Sequence, residues 1–225
     1  MSEIKAKKEW SSKVKTFFLV PISKDFSSAL EKVKTEAKQN GDIIILDLED
    51  NETLQTIKAI HMMEYYLQKC FKRDEKNRKT PLLFKTTDSV VIMPEEFMKM
   101  VDGLTTRTEE NFAAGAKAQA YRLEFVSASA YFLSYNAVND VYQYARCVTD
   151  IPQLEDVFLT GAIAEKIRLS LVGANIESNY GGIEDKKKKK RENLLKFAVI
   201  NNATLFTSDY QYSLWYYLKN IKSEL

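Results

Sequence analysis

Asp88 closes an apolar segment and sits among hydroxyls, in Lys85-Thr86-Thr87-Asp88-Ser89. A carboxylate where a strand ends can share a divalent cation with a diphosphate, because such ions take hard oxygen donors. The same residues also suit an ordinary Asp turn in a Thr/Ser loop. Glu155-Asp156 puts two acids at the start of an apolar, helix-like run. The helix dipole favours acids there without any function. The functional reading is a general base aimed at a substrate hydroxyl. Asp47 and Asp50 follow the run Ile43–Leu46, and capping of the next helix is their structural alternative.

Composition removes several rival chemistries. His61 is the single histidine, so a histidine-cluster metal site is excluded and a Ser-His-Asp triad would need that residue. On its helix it reads as packed or surface-lying. Cys70 and Cys147 are the two cysteines. They are too few for an all-cysteine zinc site, and suit either one disulfide or two thiols. No Gly-x-Gly-x-x-Gly or Walker-type loop occurs among the 7 glycines, so dinucleotide and P-loop chemistry lack their phosphate cradle. The net charge is +2, yet Lys186–Arg191 supplies six of the 33 basic residues. The rest of the chain is net acidic, which argues against a nucleic-acid surface spread over the fold. No apolar run approaches the ~20 residues of a membrane span, and Met1–Lys15 lacks the apolar stretch of a signal peptide. The sequence reads as a soluble chain. Asn51-Glu52-Thr53 and Asn202-Ala203-Thr204 match the N-glycosylation pattern, which chance also supplies.

The elements that must position these residues follow from periodicity. With 45% apolar residues, the 225-residue chain can bury the core of one ordinary domain. Thr16–Ile22 predicts a buried strand, and Asp25 caps a helix bearing Phe26, Leu30, Val33 and Ala37 that ends at Asn40-Gly41. Asp42–Leu48 predicts a second strand, suited to the centre of a parallel sheet. A helix follows with Leu54, Ile57, Ile60, Met63 and Leu67 inward; then a charged loop, 71–80, and strands at Pro81–Thr86 and Val90–Ile92. Pro94, Glu95 and Glu96 open a helix with Phe97, Val101 and Leu104 on one face. Thr105–Ala118 reads as loop, Tyr121–Leu133 as extended and Asn136–Cys147 as helical. Glu155–Leu169 reads as a helix with Val157, Gly161, Ala164 and Ile167 inward and Gly173 beyond its C-terminus. Residues 175–192 read as a mobile basic loop, and Ser208 opens a last helix. Strand and helix alternate, which predicts a right-handed α/β unit with a central, mostly parallel sheet flanked by helices. Ligands then bind beyond the carboxyl ends of the strands, near Asp47, Asp50 and Asp88.

These blocks, in this order, resemble the β-1,3-galactosyltransferase family, glycosyltransferase family 31. The similarity begins at Lys5-Ala6-Lys7-Lys8-Glu9-Trp10 and Phe17–Val20. It continues through Gly41–Ile44, Asp47-Leu48-Glu49-Asp50, Thr56-Ile57-Lys58 and Cys70. The family's Lys-Thr-Asp-Asp-Asp-Val resembles Lys85–Val90, its Tyr-Val-Leu-Ser resembles Tyr131–Ser134, and its Leu-Glu-Asp-Val-Tyr-x-Gly resembles Leu154–Phe158 with Gly161. The resemblance implies a single GT-A-like domain over residues 1–225. It implies an inverting transferase that moves a galactose or N-acetylhexosamine type sugar from a UDP-sugar to an acceptor glycan hydroxyl on glycoprotein or glycolipid. It further implies Asp156, beside Glu155, as catalytic; Asp50, Lys58, Lys85 and Asp88 at the donor; and a divalent ion, usually manganese, on the aspartate triplet. Here Thr87 and Ser89 replace the outer two acids of that triplet, leaving Asp88. Ala128, Ser129 and Ala130 stand near the family's glycines, Val126 at its cysteine, and no histidine follows Val157. A Golgi location is implied too, with membrane attachment only through an anchor that this sequence does not carry. The competing function is a non-catalytic relative that binds sugar or a partner. A remoter one is a scaffold whose lysine run docks on anionic membranes.

Overall fold

The computed structural model describes residues 13–22, 27–49, 51, 54–70, 81–88, 90–107, 110–120, 122–174, 176–179 and 198–201. Strands β1 (Phe18–Pro21) and β2 (Ile43–Leu46) pair in parallel, Phe18 against Ile43, joined by helix α1 (Ser27–Asn40). Gly41 ends α1 at φ +69°, where its N–H reaches the Ala37 carbonyl at 2.9 Å. That left-handed geometry costs a glycine nothing. The predicted cap, Asp25, lies outside the described residues, as do the 71–80 loop, the lysine run and the last helix.

Helix α2 (Gln55–Tyr65) continues as a π-turn, Tyr66–Cys70. Its fully inward stripe is Thr56, Ala59, Met63 and Tyr66. Leu54, Ile57, Ile60 and Leu67 are half-buried beside it. Then come β3 (Leu83–Thr86), β4 (Val90–Ile92), α3 (Pro94–Thr105), β5 (Phe112–Ala120), β6 (Leu123–Leu133) and α4 (Tyr135–Ala145). A π-helix, Asp156–Ile163, runs into α5 (Ala164–Ile167), followed by β7 (Ser170–Gly173), β8 (Ile176–Asn179) and β9 (Ala198–Asn201).

The largest sheet has the order β3-β6-β5-β7. It is mixed: only β5–β7 is parallel, and β6 runs antiparallel to both its neighbours. A smaller sheet, β4-β9-β8, is mixed as well. The chain is α/β as predicted. The expectation of one mostly parallel sheet is corrected, because the β5–β6 hairpin supplies the central pair and a hairpin can only be antiparallel.

Helices cover both faces of the large sheet. Ala113, Val126, Tyr131 and Leu133 pack against α2, α4 and the π-helix. The alternate residues Phe112, Ala114, Ala130 and Phe132 pack against Phe97, Met98 and Leu104 of α3. Phe84 of β3 joins that second face, 4.5 Å from the Phe132 ring and 4.9 Å from Phe97. The period of two that separates the faces is the strand's own.

Three sequence-based assignments change. The segment read as loop, Thr105–Ala118, contains most of β5, and Phe112, Ala113 and Ala114 are wholly buried. Alanine and glycine weaken strand propensity, but this position demands small residues. A Cβ on Gly115 would lie 3.1 Å from the Ala130 carbonyl and 3.1 Å from the Val126 Cβ. In the helix after Glu155, Gly161 and Ala164 are buried as expected, and π-winding changes the rest of the inward face. Phe158, Leu159, Thr160, Gly161 and Ile163 are buried, whereas Val157 and Ile167 are half-buried. Gly173 does not cap this helix: Arg168, at φ +56°, ends it, and Gly173 belongs to β7.

Candidate active site

The site is built on a break in the β5–β6 hairpin. Gly115 pairs with Tyr131 and Lys117 with Val126, so four residues of β6, Ser127–Ala130, oppose the single residue Ala116. A bulge of this size withdraws backbone groups from the ladder, and such bulges are common beside active sites because they re-aim the chain. Here the withdrawn groups of Ala128 and Ser129 have other partners. The Ala128 N–H donates to Asp156 Oδ2 at 3.2 Å. The Ala128 carbonyl accepts from the Lys85 ammonium. The Ser129 carbonyl accepts from the Thr87 N–H at 3.1 Å. Residues far apart in sequence therefore meet on two consecutive peptides.

Glu155 is 5% exposed, and both its carboxylate oxygens are occupied. Lys85 Nζ lies 3.0 Å from Oε2, and the Tyr131 hydroxyl donates to Oε1 at 2.8 Å. A buried carboxylate needs such partners to offset its lost hydration. Burial, reinforced by the Glu155 carboxylate, pushes the Tyr131 hydroxyl well above its ordinary pKa, so it stays a donor. Asp156 is only half-buried. Its Oδ1 accepts from the Val157 N–H at 2.9 Å.

Two hydroxyls fasten the segment that carries these acids. Thr160 Oγ1 accepts from the Val126 N–H at 3.1 Å and lies 2.9 Å from both the Val126 and Asp156 carbonyls. Gly161 lets the π-helix approach β6 closely, since a Cβ there would lie 2.9 Å from Leu123 Cδ2. Thr56 of α2 is fully buried, its hydroxyl 2.7 Å from the Pro152 carbonyl and 3.1 Å from that of Gln153. The loop before Glu155 is thus held from one side and the helix after it from the other.

The predicted site residues divide. Lys85, Glu155 and Asp156 come together around Ala128, and the Thr87–Asp88 turn docks on the next residue, Ser129. Asp88 itself is exposed, and Val90 N–H closes its turn onto the Thr87 carbonyl at 3.3 Å. Lys58 is half-buried on α2 and Asp47 is exposed beyond β2. Asp50 and Ser89 lie outside the described residues. Among the described residues, no three of His, Cys, Asp and Glu group as a metal centre. Among the described residues the turn offers one carboxylate, Asp88, beside the Thr86 and Thr87 hydroxyls, too sparse a donor set for a resident manganese ion. Cys70 and Cys147 are both free thiols, and burial raises the pKa of Cys70. His61 is a surface residue, 3.3 Å from Glu64. A cavity of about 530 Å³ is lined by Asp140, Gln143, Tyr144, Cys147, Val148 and Ile167, none of them a predicted site residue.

Sequence reasoning missed Thr56, Tyr131 and Thr160. Each left a signal: a hydroxyl within an otherwise apolar inward stripe or strand, which must find a partner once buried.

The family described as Galactosyltransferase matches residues 2–123, more than half the chain. This chain belongs to that family. Over 177 residues it is 28% identical to the Caenorhabditis elegans beta-1,3-galactosyltransferase bre-2, covering 68% of this chain and 47% of the relative. The chain therefore spans about half the length of the curated relative it matches. The family match contains the Lys85–Asp88 turn and stops at Leu123, before the bulge and before Glu155-Asp156. No described helix is long and apolar enough to cross a membrane.

Proposed function

We propose that this galactosyltransferase relative is a GT-A-like, inverting hexosyltransferase. It moves a galactose or N-acetylhexosamine type sugar from a UDP-sugar to a glycan hydroxyl, as part of glycoprotein or glycolipid synthesis in the Golgi. The observation that carries this reading is Asp156: half-exposed, at the head of a buried helix, its carboxylate aimed by the Ala128 and Val157 N–H groups. Asp156 takes the proton of the acceptor hydroxyl. The oxygen so released attacks the anomeric carbon from the face opposite UDP. The bond from that carbon to the β-phosphate oxygen breaks, and UDP leaves with the electron pair. Asp50 and Asp88 suit hydroxyls of the donor, and Lys58 suits its diphosphate charge.

The test is transfer from a panel of UDP-sugars by wild type and Asp156→Asn. Turnover is expected to fall by about 10²–10⁴-fold with UDP affinity retained, the usual worth of a positioned base. Unchanged turnover in Asp156→Asn removes it from that role.

A second reading, a sugar- or partner-binding relative without turnover, draws support from the sequence Thr87-Asp88-Ser89, which retains one carboxylate of the family's triplet. Thermal stabilisation by UDP separates the two, since a ligand bound by the native state raises the melting temperature. Stabilisation accompanied by transfer supports the enzyme. Sugar binding without UDP binding supports the module.

A further inference from the structure

The polar contacts around Asp156 form a closed ring. Lys85 holds Glu155 Oε2 at 3.0 Å; Glu155 is bonded through the chain to Asp156; Asp156 Oδ2 takes the Ala128 N–H at 3.2 Å; and the Ala128 carbonyl returns to the Lys85 ammonium. Tyr131 braces the ring from inside the sheet, donating 2.8 Å to Glu155 Oε1. Of the charged side chains, Glu155 is 4% exposed and Lys85 13%, while Asp156 is half-buried.

We propose that Lys85, acting through Glu155 and Ala128, fixes the carboxylate of Asp156, and is therefore a positioning residue and not a ligand of the donor. This rests on the reading of Asp156 as the base. Three observations carry it. First, the ammonium has two acceptors, Glu155 and the Ala128 carbonyl, and lies 5.7 Å above the Tyr131 ring. Its charge is satisfied inside the protein and is not offered to a diphosphate. Second, Lys85 bonds the carbonyl of the same residue whose N–H aims Asp156, so it fixes that residue's orientation as well as the neighbouring side chain. Third, the bulge removes Ala128 from the β5–β6 ladder, leaving these side chains to hold it. A wandering peptide would let the carboxylate turn away from an acceptor hydroxyl, and small misplacements of a reacting group are costly in rate.

Lys85→Met, Lys85→Arg and Glu155→Gln test this by amide exchange at Ala128, UDP affinity by calorimetry, and kcat against KM. Lys85→Met is expected to speed Ala128 exchange at least tenfold relative to amides of α4. It should lower kcat at least tenfold while leaving the UDP dissociation constant within about twofold, where a tenfold change is a substantial energetic effect. Lys85→Arg should restore much of both, and Glu155→Gln should fall between. Where Lys85→Met does not fold, Lys85→Met with Glu155→Met removes both charges and leaves none stranded, with the same expected exchange. Unaltered Ala128 exchange overturns the proposal. So does weakened UDP binding at unaltered kcat, which would make Lys85 a donor ligand. The exchange measurement needs no turnover. If Asp156→Asn transfers sugar normally, the base assignment fails, while exchange still decides whether Lys85 holds that carboxylate.

Discussion

The two acidic stretches that meet at the β6 bulge differ in burial. Glu155 and Asp156 are anchored by Lys85, Tyr131, Ala128 and Val157, with Thr56 before them and Thr160 after. Asp88 sits exposed in a turn joined to the bulge by the Thr87 N–H. The first stretch has the order expected of reacting groups, which must be set before substrate arrives. The second carries a single acid, Asp88, between Thr87 and Ser89. The difference teaches that one bulge can join a buried, multiply bonded acidic stretch to an exposed one. Asp156 is half-buried and held by two backbone N–H groups, whereas Asp88 is exposed on its turn.

The largest expected break in this contrast is Glu155→Ala. It strands the Lys85 ammonium, 13% exposed, and should cost about 3–5 kcal/mol in urea unfolding, as other one-sided deletions of buried pairs do. A loss below about 1 kcal/mol would mean that the pair is solvated and the contrast overstated. Thr160→Val keeps the shape but leaves Val126 N–H without its hydroxyl, and should cost about 1–3 kcal/mol in the same experiment.

Alkali gives a smaller, graded effect. The Tyr131 pKa is raised above its ordinary 10.0, by burial first and then by the Glu155 charge. The folded state therefore keeps a proton that the unfolded chain releases above about pH 10. Its stabilising contribution is complete below that pH and lost as pH climbs toward the folded value. Tyr131→Phe should lessen the alkaline decline of melting temperature between about pH 10 and 12. Tyr66, which burial also raises, keeps some of that decline in place. A decline as steep in Tyr131→Phe as in wild type would place the hydroxyl in solvent. The smallest effect belongs to Asp88→Ala, an exposed change that should move stability by no more than about 0.5 kcal/mol.

The elements that frame the site were largely legible. The Ile43–Leu46 run, the Asn40-Gly41 stop, the Pro94 helix and the Leu123–Leu133 strand all carry strong local patterns. Strand β5 was not legible. Phe112–Ala120 is alanine-rich because β6 and covering helices crowd it, and that constraint exists only once the chain has folded. Asp156 and Asp88 stood out by residue type and place. The bulge did not, because Ser127-Ala128-Ser129-Ala130 alternates as any strand might. Its four-to-one mismatch with β5 appears only in the pairing. The Lys85–Glu155 pair was not legible either, since nothing in the sequence says that residues 70 positions apart are partners.

The most direct measurement compares transfer rates of Asp156→Asn and Asp88→Asn with wild type, at saturating UDP-sugar and matched folding. A base set in a buried ring and an exposed Asp88 predict a fall of about 10²–10⁴-fold in Asp156→Asn, with less than a tenth of that loss in Asp88→Asn. Equal losses, or a larger loss in Asp88→Asn, would contradict the account.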